Sequence, residues 1–159
     1  MFASFGFHCG CTRCGASLAE RKESDQRRKR LQTLEDEIGD GMGIVRTPLA
    51  CVHKVYEMTK LLEEDELAGS TIPRVYHDAF QIAIAHGDQA RAKVFAERCY
   101  AARVLVDGED SEDAAEARVF VERPSSHRLY GTTMKWKQGV GKVPTGLSEE
   151  AFERWLWKK

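Results

Sequence analysis

The chain has 159 residues, 42% of them hydrophobic and 31% charged, with a formal net charge of −1. These are the proportions of a folded domain rather than a disordered chain, and so small a net charge gives no general attraction to nucleic acid or acidic lipid. No run of about 18 apolar residues is present, which excludes a helical membrane span.

The N-terminus has neither the basic region nor the apolar region of a secretory leader. Cysteine usage agrees: of five cysteines, Cys9, Cys11 and Cys14 are clustered, while Cys51 and Cys99 stand alone within apolar patterns. A disulfide framework is not expected from an odd, clustered set. A reducing compartment, cytoplasmic or nuclear, is the expectation.

The first fifteen residues carry Phe5-Gly6-Phe7-His8-Cys9-Gly10-Cys11-Thr12-Arg13-Cys14. A C-x-C-x-x-C spacing lets a tight loop turn three thiolates to one centre, and thiolates suit zinc. A structural zinc ion takes four ligands, so one ligand must come from elsewhere. His8 is a poor fourth ligand, because neighbours in an extended chain point to opposite faces.

From Ser17 to Ile38 acidic and basic residues balance, and Leu31, Leu34 and Ile38 form a narrow apolar stripe at helical spacing. This predicts a mostly exposed helix whose second half docks, followed by a flexible joint at Gly39-Asp40-Gly41-Met42-Gly43. Thr47 and Pro48 are a helix start signal. Leu49, Val52, Val55, Tyr56 and Leu62 then recur on one face.

Pro73 opens the next helix, with Val75, Tyr76, Ala79, Phe80, Ala83 and Ile84 as its buried side. Gly87-Asp88 is a stop followed by a cap, and Ala92, Phe95, Ala96, Cys99 and Ala102 line the following helix to about Val106. Small alanines allow close approach, so Pro73 to Val106 reads as an antiparallel hairpin like those of tetratricopeptide arrays. No second copy is found at the roughly 34-residue period of that repeat. Ser111 caps a helix ended by Pro124; residues 125–146 read as a long ordered loop packed through Tyr130 and Trp136; and Ser148 caps a final helix with Phe152, Trp155 and Leu156 on one face. The fold class expected is all-α, a bundle of about six helices preceded by a cysteine-rich loop. Three regions are expected, at 1–16, 17–46 and 47–159.

The aromatic-x-Phe-x-Cys-x-Cys-x-x-Cys segment followed by helices resembles the post-SET motif and C-terminal helical region of SMYD-like SET-domain proteins, particularly the fungal ones. The resemblance covers nearly all of this chain but only the last part of the family's architecture. It implies a zinc site in which Cys9, Cys11 and Cys14 are three ligands and a cysteine of the SET core is the fourth. It also implies a parent enzyme that uses S-adenosylmethionine to methylate protein lysines. At the position of Phe5 the family usually carries a tyrosine whose hydroxyl lines the lysine channel, a group phenylalanine lacks. No catalytic or cofactor-binding residue is therefore assigned, and the chain by itself is expected to be inactive.

The remaining motifs have plainer readings. Arg27-Arg28-Lys29-Arg30 is balanced by nearby acids and reads as a solvated helix face rather than a nucleic-acid patch. His53, His77, His86 and His127 are scattered and read as ordinary surface or boundary residues. Ser126-His127 lacks a nucleophile elbow, and Gly139 and Gly141 make no phosphate loop. The expected partner is a protein, one containing a substrate lysine or another binding partner, with no nucleic acid and no membrane. A free-standing helical interaction module is the alternative.

Overall fold

The computed structural model describes residues 6, 9–39, 41–64, 69 and 71–159, apart from the side chains of Thr12 and Arg13. Among these residues the regular structure is helical: α1 (Thr12–Gly15), α2 (Leu18–Gly39), α3 (Met42–Arg46), α4 (Pro48–Glu64), α5 (Thr71–Ala85), α6 (Gln89–Asp107), α7 (Glu112–Glu122) and α8 (Glu149–Leu156), with 3₁₀ turns at Pro124–Ser126 and Val140–Lys142. The strongest pairing is α5 against α6, then α6 against α7, α4 against α5 and α2 against α4. The expected hairpin is thus the centre of the bundle.

Local chemistry sets the helix starts. Ser17 and Glu20 form a reciprocal capping box, the Ser17 amide donating to Glu20 Oε2 at 2.7 Å and the Glu20 amide donating to Ser17 Oγ at 3.2 Å. Asp88, Ser111 and Ser148 accept from the amides of Arg91, Ala114 and Ala151 at 3.1 to 3.3 Å, so these three expected caps are present, whereas the Thr47 hydroxyl, also expected to cap, donates back to the Gly43 carbonyl at 3.4 Å.

The core contains Leu34, Ile38, Val52, Val55, Leu62, Val75, Phe80, Ile84, Phe95 and Leu156. Leu34 and Ile38 bring the second half of α2 onto α4, as the apolar stripe predicts. Leu49 does not join them. It is 46% exposed, because α4 buries the face through Cys51, Val55, Met58 and Leu62 instead. The glycine-rich joint is also more structured than expected: Gly41, at φ 67°, leads into the short helix α3, whose Ile44 packs on the core.

Residues 125–146 hold the turn between α5 and α6. The amides of Thr133, Trp136 and Gln138 donate to the carbonyls of Ala85, His86 and Gly87 at 2.8, 3.0 and 3.0 Å, and the Gln89 amide returns a bond to the Gln138 carbonyl at 2.9 Å. Trp136 lies on His86, with ring centroids 4.8 Å apart. Tyr130 stays 37% exposed, so the loop is pinned by backbone pairing and one aromatic ring rather than two.

The last helix docks through a residue outside its expected face. Trp157 is 1% exposed and sits between Phe95 and Tyr56, at centroid distances of 4.8 and 5.3 Å. Its indole N–H donates to Glu153 at 2.9 Å, and Glu153 pairs with Arg98 on α6. A buried tryptophan is stable only when that N–H finds an acceptor. No described helix is long and apolar enough to cross a membrane.

Candidate metal centre

Cys11 immediately precedes α1, and Cys14 lies one turn along. The Gly15 amide donates to the Cys11 carbonyl at 2.9 Å, closing a single helical turn in which positions three apart face the same way. Cys9 approaches from the segment before it. The three sulfurs all lie within 4.8 Å of one another. Thiolates around zinc at about 2.3 Å would stand about 3.8 Å apart in a tetrahedron, so the donor set fits three corners of such a site with little movement.

The three thiols also interact with one another. The neighbouring thiols of Cys11 and Cys9 push the Cys14 thiol up to about 11, because thiolates packed together repel and share their protons. A divalent ion reverses that preference. None of the five cysteines is in a disulfide. Cys51 and Cys99 are core residues; the Cys99 sulfhydryl donates to the Pro73 carbonyl at 3.3 Å, and burial raises it to about 11. They pack in the bundle, whereas α1 takes part in none of the main helix pairings. Phe5, Phe7 and His8 lie outside the described residues.

Of the four histidines expected at the surface or boundary, His53 is exposed and His77 intermediate, but His86 and His127 are buried. His86 is fully buried, with Nε2 donating to the Ile44 carbonyl at 2.7 Å and Nδ1 bonded to the Thr133 hydroxyl. Burial holds it below the ordinary imidazole value. His77 and His127 meet at 6.0 Å between Phe80 and Phe120. Together with Gln81, Glu116 and Arg128 they line a groove of about 410 Å³. Burial lowers both of these imidazoles as well. Nothing in their sequence spacing signals the pairing, since they lie on α5 and in the loop after α7.

Beside His86, Asp88 is also fully buried. It caps α6, takes the Arg91 guanidinium at 2.7 Å and has Lys158 at 3.6 Å. Arg91 in turn donates to the Trp155 carbonyl at 2.7 Å. These contacts tie the C-terminal helix to the α5–α6 corner.

A small all-helical unit headed by a three-cysteine, metal-competent loop is the class that fold and site define. Sequence comparison relates it to a lysine methyltransferase. The chain is 33% identical over 147 residues to the histone-lysine N-methyltransferase set5 of Schizosaccharomyces pombe, an alignment covering 92% of this chain and 43% of that protein. It therefore spans less than half the length of the curated relative it matches. No protein-family model matches the chain, and no solved structure matches it significantly.

Proposed function

We propose that this chain is the C-terminal part of a SMYD-like SET-domain protein-lysine methyltransferase. Cys9, Cys11 and Cys14 are then three ligands of a post-SET zinc site, and the SET core holds the fourth ligand, the S-adenosylmethionine site and the catalytic residues. The observation that carries this reading is the set of three converging sulfurs in front of a helical bundle, in a chain that aligns along 92% of its length with less than half of a histone-lysine N-methyltransferase.

Zinc would supply a structural crosslink between the loop and the SET core, not a reacting group. The described residues are assigned no part in methyl transfer. The bundle's role in this reading is to engage the protein substrate or a partner protein.

The second reading, a free-standing helical interaction module, is favoured by one observation: the main helix pairings are complete without α1. Two measurements separate the readings. The transcript upstream of the Met1 codon is expected to encode a SET core in frame; a stop codon there with no such exon sinks the first reading. The purified chain, assayed for zinc and for methyl transfer to histones, is expected to hold substoichiometric zinc and show no transfer. Stoichiometric, chelator-resistant zinc would refute the shared site, and methyl transfer by the chain alone would refute the division of labour.

A further inference from the structure

Between Arg123 and Ser148 the chain carries Arg123, Arg128, Lys135, Lys137 and Lys142 and no aspartate or glutamate. All five side chains are exposed. No carboxylate among the described residues pairs with any of them, whereas elsewhere Arg30, Lys54, Arg98 and Arg103 each reach an acid. The nearest acid on the α5–α6 corner, Asp88, is buried and already taken by Arg91 and Lys158. The segment therefore presents exposed cationic side chains without a carboxylate partner, although the Lys135 ammonium donates to the Val45 carbonyl at 3.3 Å and Arg128 shares its groove with Glu116.

This surface is both ordered and partly apolar. The backbone bonds to Ala85, His86 and Gly87 fix the segment, so a ligand would find it preformed and bind without the entropy cost of ordering a loop. Tyr130, whose hydroxyl is reached by Gln89 Nε2 at 3.4 Å, and Met134, which lies over Gly87, are half-exposed around the same turn as Lys135 and Lys137. Lysines interleaved with accessible methionine and tyrosine match a ligand that alternates carboxylates with apolar side chains.

We propose that the corner bearing Tyr130, Met134, Lys135 and Lys137 is a docking surface for an acidic, apolar-interleaved peptide segment of a partner protein. A long nucleic acid fits less well. The chain has no net positive charge, and an extended polyanion would reach beyond the corner. A short peptide touching only the corner meets its lysines without needing a wider cationic surface. This surface does not depend on the SET-domain reading.

The test is fluorescence anisotropy of the full chain with a labelled octapeptide of alternating Glu and Leu. A Lys-Leu octapeptide and a short DNA duplex serve as comparison probes. The Glu-Leu peptide is expected to bind, with affinity falling as salt rises. K135E/K137E is expected to weaken it on the order of tenfold, equivalent to about 1.4 kcal/mol. M134S should weaken it by about threefold through loss of apolar contact. K22E/K29E, the same change of net charge placed on α2, should stay within about twofold. Circular dichroism melts verify that each variant folds. Failure of the wild-type chain to bind the Glu-Leu peptide overturns the proposal. So does equal weakening in the two charge-reversal pairs, or tighter binding of the duplex than of the peptide.

Discussion

The cysteine loop and the α5–α6 corner are both clusters of polar, chemically demanding side chains, yet they are held in opposite ways. The corner places His86, Asp88 and Gly87 under the loop of residues 125–146 and the C-terminal helix, and its buried polar atoms are satisfied within the protein. The cysteine loop has one helical turn, partly exposed thiols and no main helix pairing. A polar group is stable in a fold either because the surrounding protein satisfies it or because a ligand does. The corner is of the first kind, whereas the loop brings three thiols close enough together to hold a metal ion.

The comparison breaks most severely if the corner is unpinned. Trp157→Ala removes the anchor between Phe95 and Tyr56 and is expected to cost about 3 to 5 kcal/mol in urea unfolding, more than any single change in the cysteine loop. A variant as stable as the parent would mean that Trp157 does not anchor the C-terminus to the core.

A charge at the edge of the core sharpens it further. Burial pushes the Asp78 carboxyl up to about 6 from an ordinary 3.8. The folded state thus holds this proton more tightly than the unfolded chain, and stability from this group is present at low pH and lost as pH rises through about 6. Asp78→Asn is therefore expected to stabilise by about 2 kcal/mol at pH 7, with the gain vanishing below about pH 4. His77, His86 and His127 carry the opposite sign. Their values are lowered by burial, so in the Asp78→Asn background unfolding free energy should fall as pH drops below about 6.5. A pH-independent gain from Asp78→Asn would contradict the assignment.

Gly87→Ala tests the turn itself. Gly87 has φ 75°, and an added Cβ would lie 2.6 Å from Met134 Sδ; a loss of about 1 to 2 kcal/mol is expected from the left-handed backbone. An unchanged melting temperature would show that the turn relaxes freely.

The smallest effect is expected at the other end of the comparison. Cys9, Cys11 and Cys14 changed together to serine should abolish metal uptake, as read by mass spectrometry, yet shift the bundle's melting temperature by no more than about 2 °C, well under 1 kcal/mol. A larger shift would show that the loop is part of the bundle's core.

Much of this architecture is written in local chemistry. Ser111, Asp88 and Ser148 cap helices where their residue type predicts, and the 3.6-residue pattern identifies the buried sides of α5 and α6, because capping and amphipathicity depend on neighbours in sequence. The capping box at Ser17 and Glu20, which the charge pattern of that helix did not bring out, carries the same local signal in its S-x-x-E spacing. Leu49 and Trp157 could not be assigned in this way. A helix can carry more apolar residues than its partner covers, and only the position of α5, α6 and α8 decides which are buried.

The sequence by itself determined the helices, their caps and the three-thiol spacing, since each is set by residues within a turn or two of one another. The convergence of Cys9, Cys11 and Cys14 belongs to that class, because one loop and one helical turn suffice to bring the sulfurs together. Tertiary structure alone decided the meeting of His77 with His127 and the burial of His86 and Asp88. Those arrangements join segments tens of residues apart, and which polar groups become buried or unpaired is a property of how the helices pack rather than of any local pattern.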